Sequence, residues 1–270
     1  MPELPEVERA ARLLRDAVVG RTIHRVRLMH RSLVRRVPRR VLASLAGVQI
    51  VAVERRGKHQ VMRLADGRLL HVHFRMTGDW VVDRVADPLP RFARAAIELA
   101  DGSRVVLHDP RALSTIDVHP TGTPLDLGLG PEPHDAALTA ASLGESLARR
   151  RGPIKPALLD QRLIAGIGNI YAAESLWRAR IGPRRAANTL DTRERATLIR
   201  AMRAVIDRAT GTRYRDGADG RFEVYDRAGK PCRRCGTPIE RIVQTGRSTY
   251  FCPRCQPDDV VSRVPRRSRP

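Results

Sequence analysis

Four cysteines set the tightest limit on what this chain can fold into. They are Cys232, Cys235, Cys252 and Cys255, in the pattern C-x2-C, sixteen residues, C-x2-C, and cysteine occurs nowhere else in the 270 residues. Both pairs sit in turn-forming settings, Cys-Arg-Arg-Cys-Gly and Cys-Pro-Arg-Cys. That spacing suits one tetrahedral zinc ion held by four thiolates. Two disulfides are the competing reading. It is disfavoured because the amino terminus carries charge by Glu3 and has no apolar stretch of the secretory kind. Four thiolates leave no open coordination position, so the expected Zn2+ is structural rather than catalytic.

The remainder of the chain is strongly basic. Fifty Lys and Arg against 29 Asp and Glu give a formal charge of +21 at pH 7. A solvated basic face accounts for a few units of charge; this excess implies a polyanion, most simply nucleic acid. Aromatic residues make up only 4%, which argues against a single-strand binder built on rows of stacking rings. The arginine-rich balance suits phosphate clamping and duplex grooves. No apolar run approaches the roughly 20 residues of a membrane span. The expected setting is therefore DNA-associated and cytoplasmic, with no membrane partner, and the expected state is a monomer.

The hydrophobic pattern divides the chain, and its length is comfortable for two domains. Glu3 to Val19 reads as a helix with Leu4, Val7, Ala10, Ala11, Leu14 and Val18 on one side, ended by Gly20. Short β-rich runs follow: 22–28, 47–55, 59–64, 69–74, 95–99 and 104–108. Asp66-Gly67 and Asp101-Gly102 are hairpin turn signals. A β-sandwich behind the first helix is expected over 2–119. A Pro- and Gly-rich linker is expected over 120–137. Helices are expected at 140–149, 154–165, 170–179 and 192–209, within a helical domain spanning 138–221. A polar loop runs from Gly211 to Gly220, a zinc ribbon from 222 to 256, and a basic tail from 257 to 270. The fold class is α+β.

The amino terminus, Met1-Pro2-Glu3-Leu4-Pro5-Glu6, carries the candidate chemistry. If Met1 is removed, Pro2 presents a secondary amine with an ordinary pKa of roughly 7.7–8.0. Attack on a sugar aldehyde carbon would give an iminium, an electron sink that drives elimination of a phosphate. Glu3 beside it could move the protons. The same residues are also ordinary helix-start chemistry, and taken alone the stretch favours that reading.

The remaining candidates are equally double-sided. Gly166-Ile167-Gly168-Asn169-Ile170 joins two expected helices, where Asn169 could cap the second helix and its N–H groups could face a phosphate, or form a plain corner. Arg247, in the hairpin between the cysteine pairs, could contact phosphate or be a solvated arginine. Lys58, before a strand, could hold a phosphate near the nucleophile or sit exposed at a strand edge. Met76 could wedge into the base stack or belong to the core.

Taken together these stretches resemble a known family. Pro2-Glu3-Leu4-Pro5-Glu6-Val7-Glu8, Arg75-Met76-Thr77-Gly78, Asp109-Pro110-Arg111, Ile154-Lys155, Leu159-Asp160-Gln161, Gly168-Asn169-Ile170-Tyr171-Ala172 and the zinc ribbon look like formamidopyrimidine-DNA glycosylase, whose wider family includes endonuclease VIII. The resemblance runs from Pro2 to about Gln256, in order and spacing. It implies a glycosylase and abasic-site lyase acting on damaged double-stranded DNA by β,δ-elimination. Pro2 would be the nucleophile, Glu3 its acid–base partner, Glu6 a supporting acid and Lys58 a phosphate holder. Lys155 would lie near the flipped base. Asn169, in a helix–two-turns–helix element, and Arg247 would clamp phosphates. Met76 would fill the hole left by the extruded nucleotide, with Arg111 facing the orphaned base.

The chain departs from the family in three places, and the first two bear on the substrate. Leu113 stands where the family usually carries an aromatic residue, and leucine wedges but stacks less well. The segment from Gly211 to Phe222 is shorter than the lesion-capping loop of members that remove 8-oxoguanine, and the tail after Gln256 is an addition. The expected substrates are oxidised or ring-opened purines, with intact 8-oxoguanine a comparatively poor one. The rivals are an endonuclease VIII-like enzyme for oxidised pyrimidines and a zinc-ribbon DNA-binding protein without catalysis.

Overall fold

The structure is a computed structural model and describes residues 1–209 and 222–258. Of the Gly211–Phe222 loop only Phe222 lies inside the described residues, and of the tail only Pro257 and Asp258. Chain contacts separate two compact units, with the break after Leu129. The stretch 120–129, expected as linker, belongs with the first unit, and 130–137 with the second.

In the first unit, helix α1 (Leu4–Val18) starts from the N-cap Glu3 and has Pro5 in its first turn. Leu4, Val7, Ala10, Ala11, Leu14, Ala17 and Val18 are buried, the i, i+3, i+4 stripe of an amphipathic helix. Gly20, at φ +80°, ends it and lets the chain reverse. Eight strands then form two antiparallel four-stranded sheets. One has the order β1 (Ile23–Leu28), β6 (Ala93–Leu99), β7 (Ser103–His108), β5 (Asp79–Arg84). The other runs β2 (Ile50–Arg56), β3 (His59–Leu64), β4 (Leu69–His73), β8 (Thr115–His119). Val7 and Leu14 of α1 share one core with Ile50, Met62, Leu70 and Val72 of the second sheet and Ile97, Val105 and Leu107 of the first.

Both Asp-Gly hairpins form where the sequence marks them, with Gly67 and Gly102 at positive φ. Strands β5 and β8 were not expected. Each is an edge strand that buries a single residue, Trp80 in β5 and Ile116 in β8, so neither shows a long alternation. Two short helices between β1 and β2, α2 (Arg31–Val34) and α3 (Arg39–Ala43), were also unmarked; between them only Leu33 is buried.

The second unit holds α4 (Ala140–Leu147), α5 (Ile154–Leu158), α6 (Asn169–Ala179), α7 (Thr192–Ala209) and a hairpin of β9 (Glu240–Gln244) and β10 (Arg247–Phe251). Thr139 caps α4, its hydroxyl accepting the Ser142 N–H at 3.1 Å. The helix expected over 154–165 stops at Leu158. Its continuation is replaced by turns around Gln161, whose amide donates to the Leu159 and Ile167 carbonyls at 3.1 and 2.8 Å and accepts the Gly166 N–H at 2.9 Å. A side chain that bonds backbone groups in this way competes directly with helix.

Helix α6 and the cysteine-bearing hairpin share a core of Ala173, Trp177, Val224, Cys232, Ile239, Tyr250 and Cys252. The chain enters that core through Glu174. Its buried carboxylate accepts the backbone N–H groups of Glu223, Val224 and Tyr225, each at 2.9 Å. Among the described residues no helix is long and apolar enough to cross a membrane.

Candidate active site and nucleic-acid interface

The first unit gathers the expected chemistry around the start of α1. Glu3 is buried at the N-cap, and Glu6, one turn on, accepts the Glu3 N–H at 3.0 Å. In the complete chain Pro2 nitrogen is an amide, and the Met1 amine stands in for the amine that Pro2 would carry after Met1 is lost. Burial lowers the pKa of that amine. The carboxylates of Glu3 and Glu6 oppose the shift, and the cations of Lys58 and Arg111 add to it. Four of the expected site residues therefore act electrostatically on one amine.

Lys58 is not an exposed strand-edge residue. It is buried in the two-residue turn between β2 and β3, where Gly57 takes φ +58°. The turn is fixed from α1: Glu8 accepts from Arg55 at 2.6 Å, and Arg55 donates on to the Gly57 carbonyl at 3.2 Å. Burial pushes the Glu8 carboxyl up, but hydrogen bonds from Arg55 and Arg12 leave it below its ordinary value.

A pocket of about 450 Å³ opens beside the chain start, lined by Pro2, Glu6, Met76, Gly78 and Arg111 among others. Met76 is 37% exposed and Leu113 43% exposed, so neither belongs to the core. Met76 follows Arg75, at φ +56°, in the β4–β5 connection; Ala112, at φ +53°, separates Arg111 from Leu113. Gly78 is required in that connection, because an added Cβ would lie 2.5 Å from the Ser114 hydroxyl and 2.8 Å from the Phe74 ring.

The two loops are tied together by a residue to which the sequence reading gave no role. Asp109 is fully buried. Its carboxylate accepts from the Thr77 hydroxyl, from the N–H groups of Arg111, Leu113 and Ser114 at 3.2, 2.8 and 2.8 Å, and from the Ser114 hydroxyl at 2.8 Å. Burial pushes its pKa up, and these hydrogen bonds, Thr77 foremost, bring it below the ordinary carboxylate range. The sequence signal was there: an aspartate before a proline, with N–H groups two to five residues on, is a turn organiser.

In the second unit Lys155 is completely buried. Its ammonium donates to the Asn169 side-chain oxygen at 2.6 Å, the Thr249 hydroxyl at 2.8 Å and the Ser248 carbonyl at 3.1 Å. It was expected beside a base; here it joins the start of α6 to β10. Asn169 was expected as the cap of α6. The cap is Gly168, and Asn169 is the first helical residue, its amide donating to the Ser248 carbonyl at 2.9 Å. The Ser248 backbone carbonyl on β10 and the Lys155 ammonium occupy the Asn169 side chain in place of a local cap. Arg247 is exposed at the start of β10, immediately after Thr245 and Gly246, both at positive φ as a tight hairpin demands.

The cysteine sulfurs all lie within 4.8 Å of one another, and all four cysteines are free thiols. Cys235 and Cys252 are 3.5 Å apart, Cys232 and Cys255 4.0 Å. Four sulfurs at about 2.3 Å from a tetrahedral ion sit about 3.8 Å from one another, so the set fits one zinc ion with no vacant position.

Comparison with known proteins covers most of the chain. The family model described as "Formamidopyrimidine-DNA glycosylase N-terminal domain" matches residues 1–116, the "Formamidopyrimidine-DNA glycosylase H2TH domain" matches 129–215, and the "Zinc finger found in FPG and IleRS" matches 229–257. The formamidopyrimidine-DNA glycosylase of Chloroflexus aggregans is 43% identical over 95% of this chain and 98% of its own length. A crystal structure of the Lactococcus lactis enzyme bound to abasic-site DNA superposes with a TM-score of 0.88, at 30% identity, over 94% of this chain and 99% of that one. Another, of the same organism's enzyme with DNA containing a formamidopyrimidine lesion, gives 0.86 at 29% identity over 94% and 100%. The chain therefore belongs to the formamidopyrimidine-DNA glycosylase family of DNA-repair enzymes.

Proposed function

We propose that the protein is a bifunctional glycosylase and abasic-site lyase that works through the amine of Pro2. The observation that carries the reading is the convergence of Glu3, Glu6, Lys58 and Arg111 on the chain's amino end. Met1 must be removed first, since an amide nitrogen is no nucleophile. The free Pro2 amine then attacks the anomeric carbon. The bond to the base breaks and its electron pair leaves with the base; the amine then gives up its proton, the bond from the anomeric carbon to the ring oxygen breaks with protonation of that oxygen, and the opened sugar is left as an iminium. That cation acidifies the adjacent carbon; loss of a proton there expels the 3′ phosphate, and a second elimination expels the 5′ phosphate. Glu3 is the group placed to carry protons, with Glu6 holding the helix start around it. Water adds to the final iminium, and collapse of that adduct releases the sugar fragment as an aldehyde and restores the amine.

In the same reading Lys58 holds a phosphate beside the lesion, Met76 fills the vacated stack, Arg111 faces the orphaned base and Leu113 wedges beside it. Asn169 and Arg247 contact phosphates. Lys155 lies near the flipped base and also holds the Asn169 side chain. The cysteine set holds one structural Zn2+. Oxidised and ring-opened purines are the substrates, in keeping with the name carried by the relatives.

The test is borohydride trapping on abasic DNA. A covalent adduct is expected, mapping by mass spectrometry to Pro2, and blocking the Pro2 nitrogen with an N-terminal extension is expected to abolish it. Equal trapping by the blocked protein would falsify the mechanism. The amine must be neutral to attack, and burial lowers the pKa of the Met1 amine that stands in for it. Trapping should therefore stay near its maximum somewhat below the ordinary α-amino range of about 7.7–8.0. Single-turnover rates on duplexes that differ only in lesion and opposite base should favour ring-opened purine opposite cytosine; a faster rate on oxidised pyrimidine would move the enzyme to the endonuclease VIII-like branch.

A further inference from the structure

Helix α6 meets the cysteine set through Trp177, a contact that the glycosylase reading does not use. Ala173 and Trp177 lie one turn apart on the face of α6 that shares a core with the ribbon. Trp177 is 8% exposed. Its indole N–H, which can only donate, lies 3.5 Å from the Cys232 sulfur. The other donors to sulfur come from within the ribbon. Cys232 also accepts the Arg234 N–H at 3.5 Å, Cys252 accepts the Cys255 N–H at 3.4 Å, and the Thr237 hydroxyl lies 3.4 Å from the Cys235 sulfur. Among the described residues Trp177 is the one donor that reaches a cysteine sulfur from outside the ribbon, across 55 positions of sequence.

The ring that carries this donor is itself clamped. The Arg234 guanidinium carbon sits 4.0 Å from the centroid of the Trp177 ring, a stacking and cation–π contact. Arg234 Nη1 also donates to the Trp177 carbonyl at 3.1 Å, in the last turn of α6. Gln256, just after the second cysteine pair, makes a matching tie: its amide donates to the Ile181 carbonyl at 3.0 Å, and its oxygen accepts the Cys252 N–H at 2.9 Å. Each cysteine pair thus brings a residue that holds the end of α6. Arg180, Arg234 and Arg254 line the hollow over Cys235 and Cys255, with no carboxylate in its walls. Four thiolates about one Zn2+ form a net anion, and these cations are its counter-charge.

We propose that Trp177 is a positioning residue of the zinc centre: its indole N–H holds the Cys232 thiolate in place, and Arg234 holds the indole. The inference rests on the reading of the four cysteines as one zinc site. The competing account is that Trp177 only fills the core it shares with Val224 and Ile239. A phenylalanine would do that without a polar edge to satisfy, whereas a buried indole N–H needs an acceptor. The acceptor it has here is a ligand sulfur. Groups that orient a metal ligand in this way are worth roughly 10–100-fold in metal affinity. The hydrogen bond also lowers the energy of the sulfur lone pairs, which gives it a spectroscopic signature that packing lacks.

The test is Trp177→Phe in the tag-free full chain, which keeps a ring beneath Arg234 and removes the N–H. Zinc release into excess chelator should be faster than in the parent by about tenfold or more. In the Co2+-substituted proteins the sulfur-to-cobalt charge-transfer bands should move to lower energy in the variant. An unchanged release rate or an unshifted band in a folded variant overturns the inference and leaves the zinc site standing. A parent that holds no zinc removes the site and the inference together. Should the variant fail to fold, the parent loaded with an NMR-active cadmium isotope decides. Of the chain's two tryptophans, Trp177 alone should show scalar coupling between its indole proton and the cadmium, transmitted through the N–H···S bond. Absence of that coupling overturns the inference.

Discussion

The two units position their functional groups by opposite means. In the first, most groups are set by chemistry close to them in sequence, with Glu8–Arg55 and Asp109–Thr77 as the longer ties. Glu3 and Glu6 belong to one helix start, Lys58 to a two-residue turn, and Arg111 and Leu113 to a loop wound on Asp109. In the second, one buried ammonium joins residues 14 and 94 positions away, Asn169 and Thr249, and a carboxylate on α6 gathers backbone about 50 positions on. A site built from local turns can lose one part and keep the others. A site built on a shared buried tie should lose several at once.

Removing that tie is expected to have the largest effect. Lys155→Met keeps much of the volume but leaves the Asn169 oxygen and the Thr249 hydroxyl without that donor, and the Ser248 carbonyl with only one of its two, the Asn169 amide. Each unmatched buried group costs roughly 1–3 kcal/mol, so a loss on the order of 3 kcal/mol is expected after relaxation. Hydrogen exchange should rise together around Asn169 and Thr249 and stay unchanged around Glu3 and Lys58, and duplex affinity should fall. If exchange rises at Asn169 alone, the second unit is as locally built as the first.

Asp109→Ala is expected to act more narrowly. It frees the Leu113 and Ser114 N–H groups and the Thr77 hydroxyl, a loss of about 2 kcal/mol, confined to the loops of Met76 and Leu113. Preference for the opposite base should fall, while borohydride trapping on a pre-formed abasic site falls less. The pH dependence has a definite sign. The folded carboxyl titrates below the unfolded value of about 3.9, so its contribution is complete above that value and is lost as pH falls through the folded pKa, below about pH 4. Loop exchange that instead grows between pH 7 and 5 would show that another group holds the loops.

The same contrast governs what the sequence made legible. The cysteine spacing, the Asp-Gly hairpins and the amphipathic α1 are patterns of near neighbours, and all three are present. Strands β5 and β8 escaped because each buries a single residue, too few to alternate. The helix expected to reach residue 165 was cut short by the side chain of Gln161, whose partners no helical periodicity reports. Lys155 was readable only as one cation among many, because what makes it special is a pair of acceptors brought to it from β10 by the fold. Asp109 was readable in principle, as an Asx turn, but its bond to Thr77 crosses 32 positions and needs the sandwich to exist.

The smallest effect should come from Arg247→Ala, and it tests whether the long-range construction of the second unit is separable from its grip on DNA. Arg247 is exposed, opens β10 and precedes Ser248 and Thr249, the two residues that Lys155 holds. Its backbone is fixed by pairing with Gln244 across the Thr245-Gly246 turn, so truncating the side chain leaves that register intact. Surface substitutions of this kind change stability by no more than about 0.5 kcal/mol. A phosphate contact, by contrast, has its own signature: the slope of log affinity against log salt should become shallower by about 0.9, the release of counterion from one phosphate. Affinity should weaken about equally for lesion-bearing and undamaged duplexes, because a backbone contact carries no base information. An unchanged salt slope would remove Arg247 from the interface, and a loss confined to lesion-bearing DNA would make the hairpin a reader of the damage rather than a clamp.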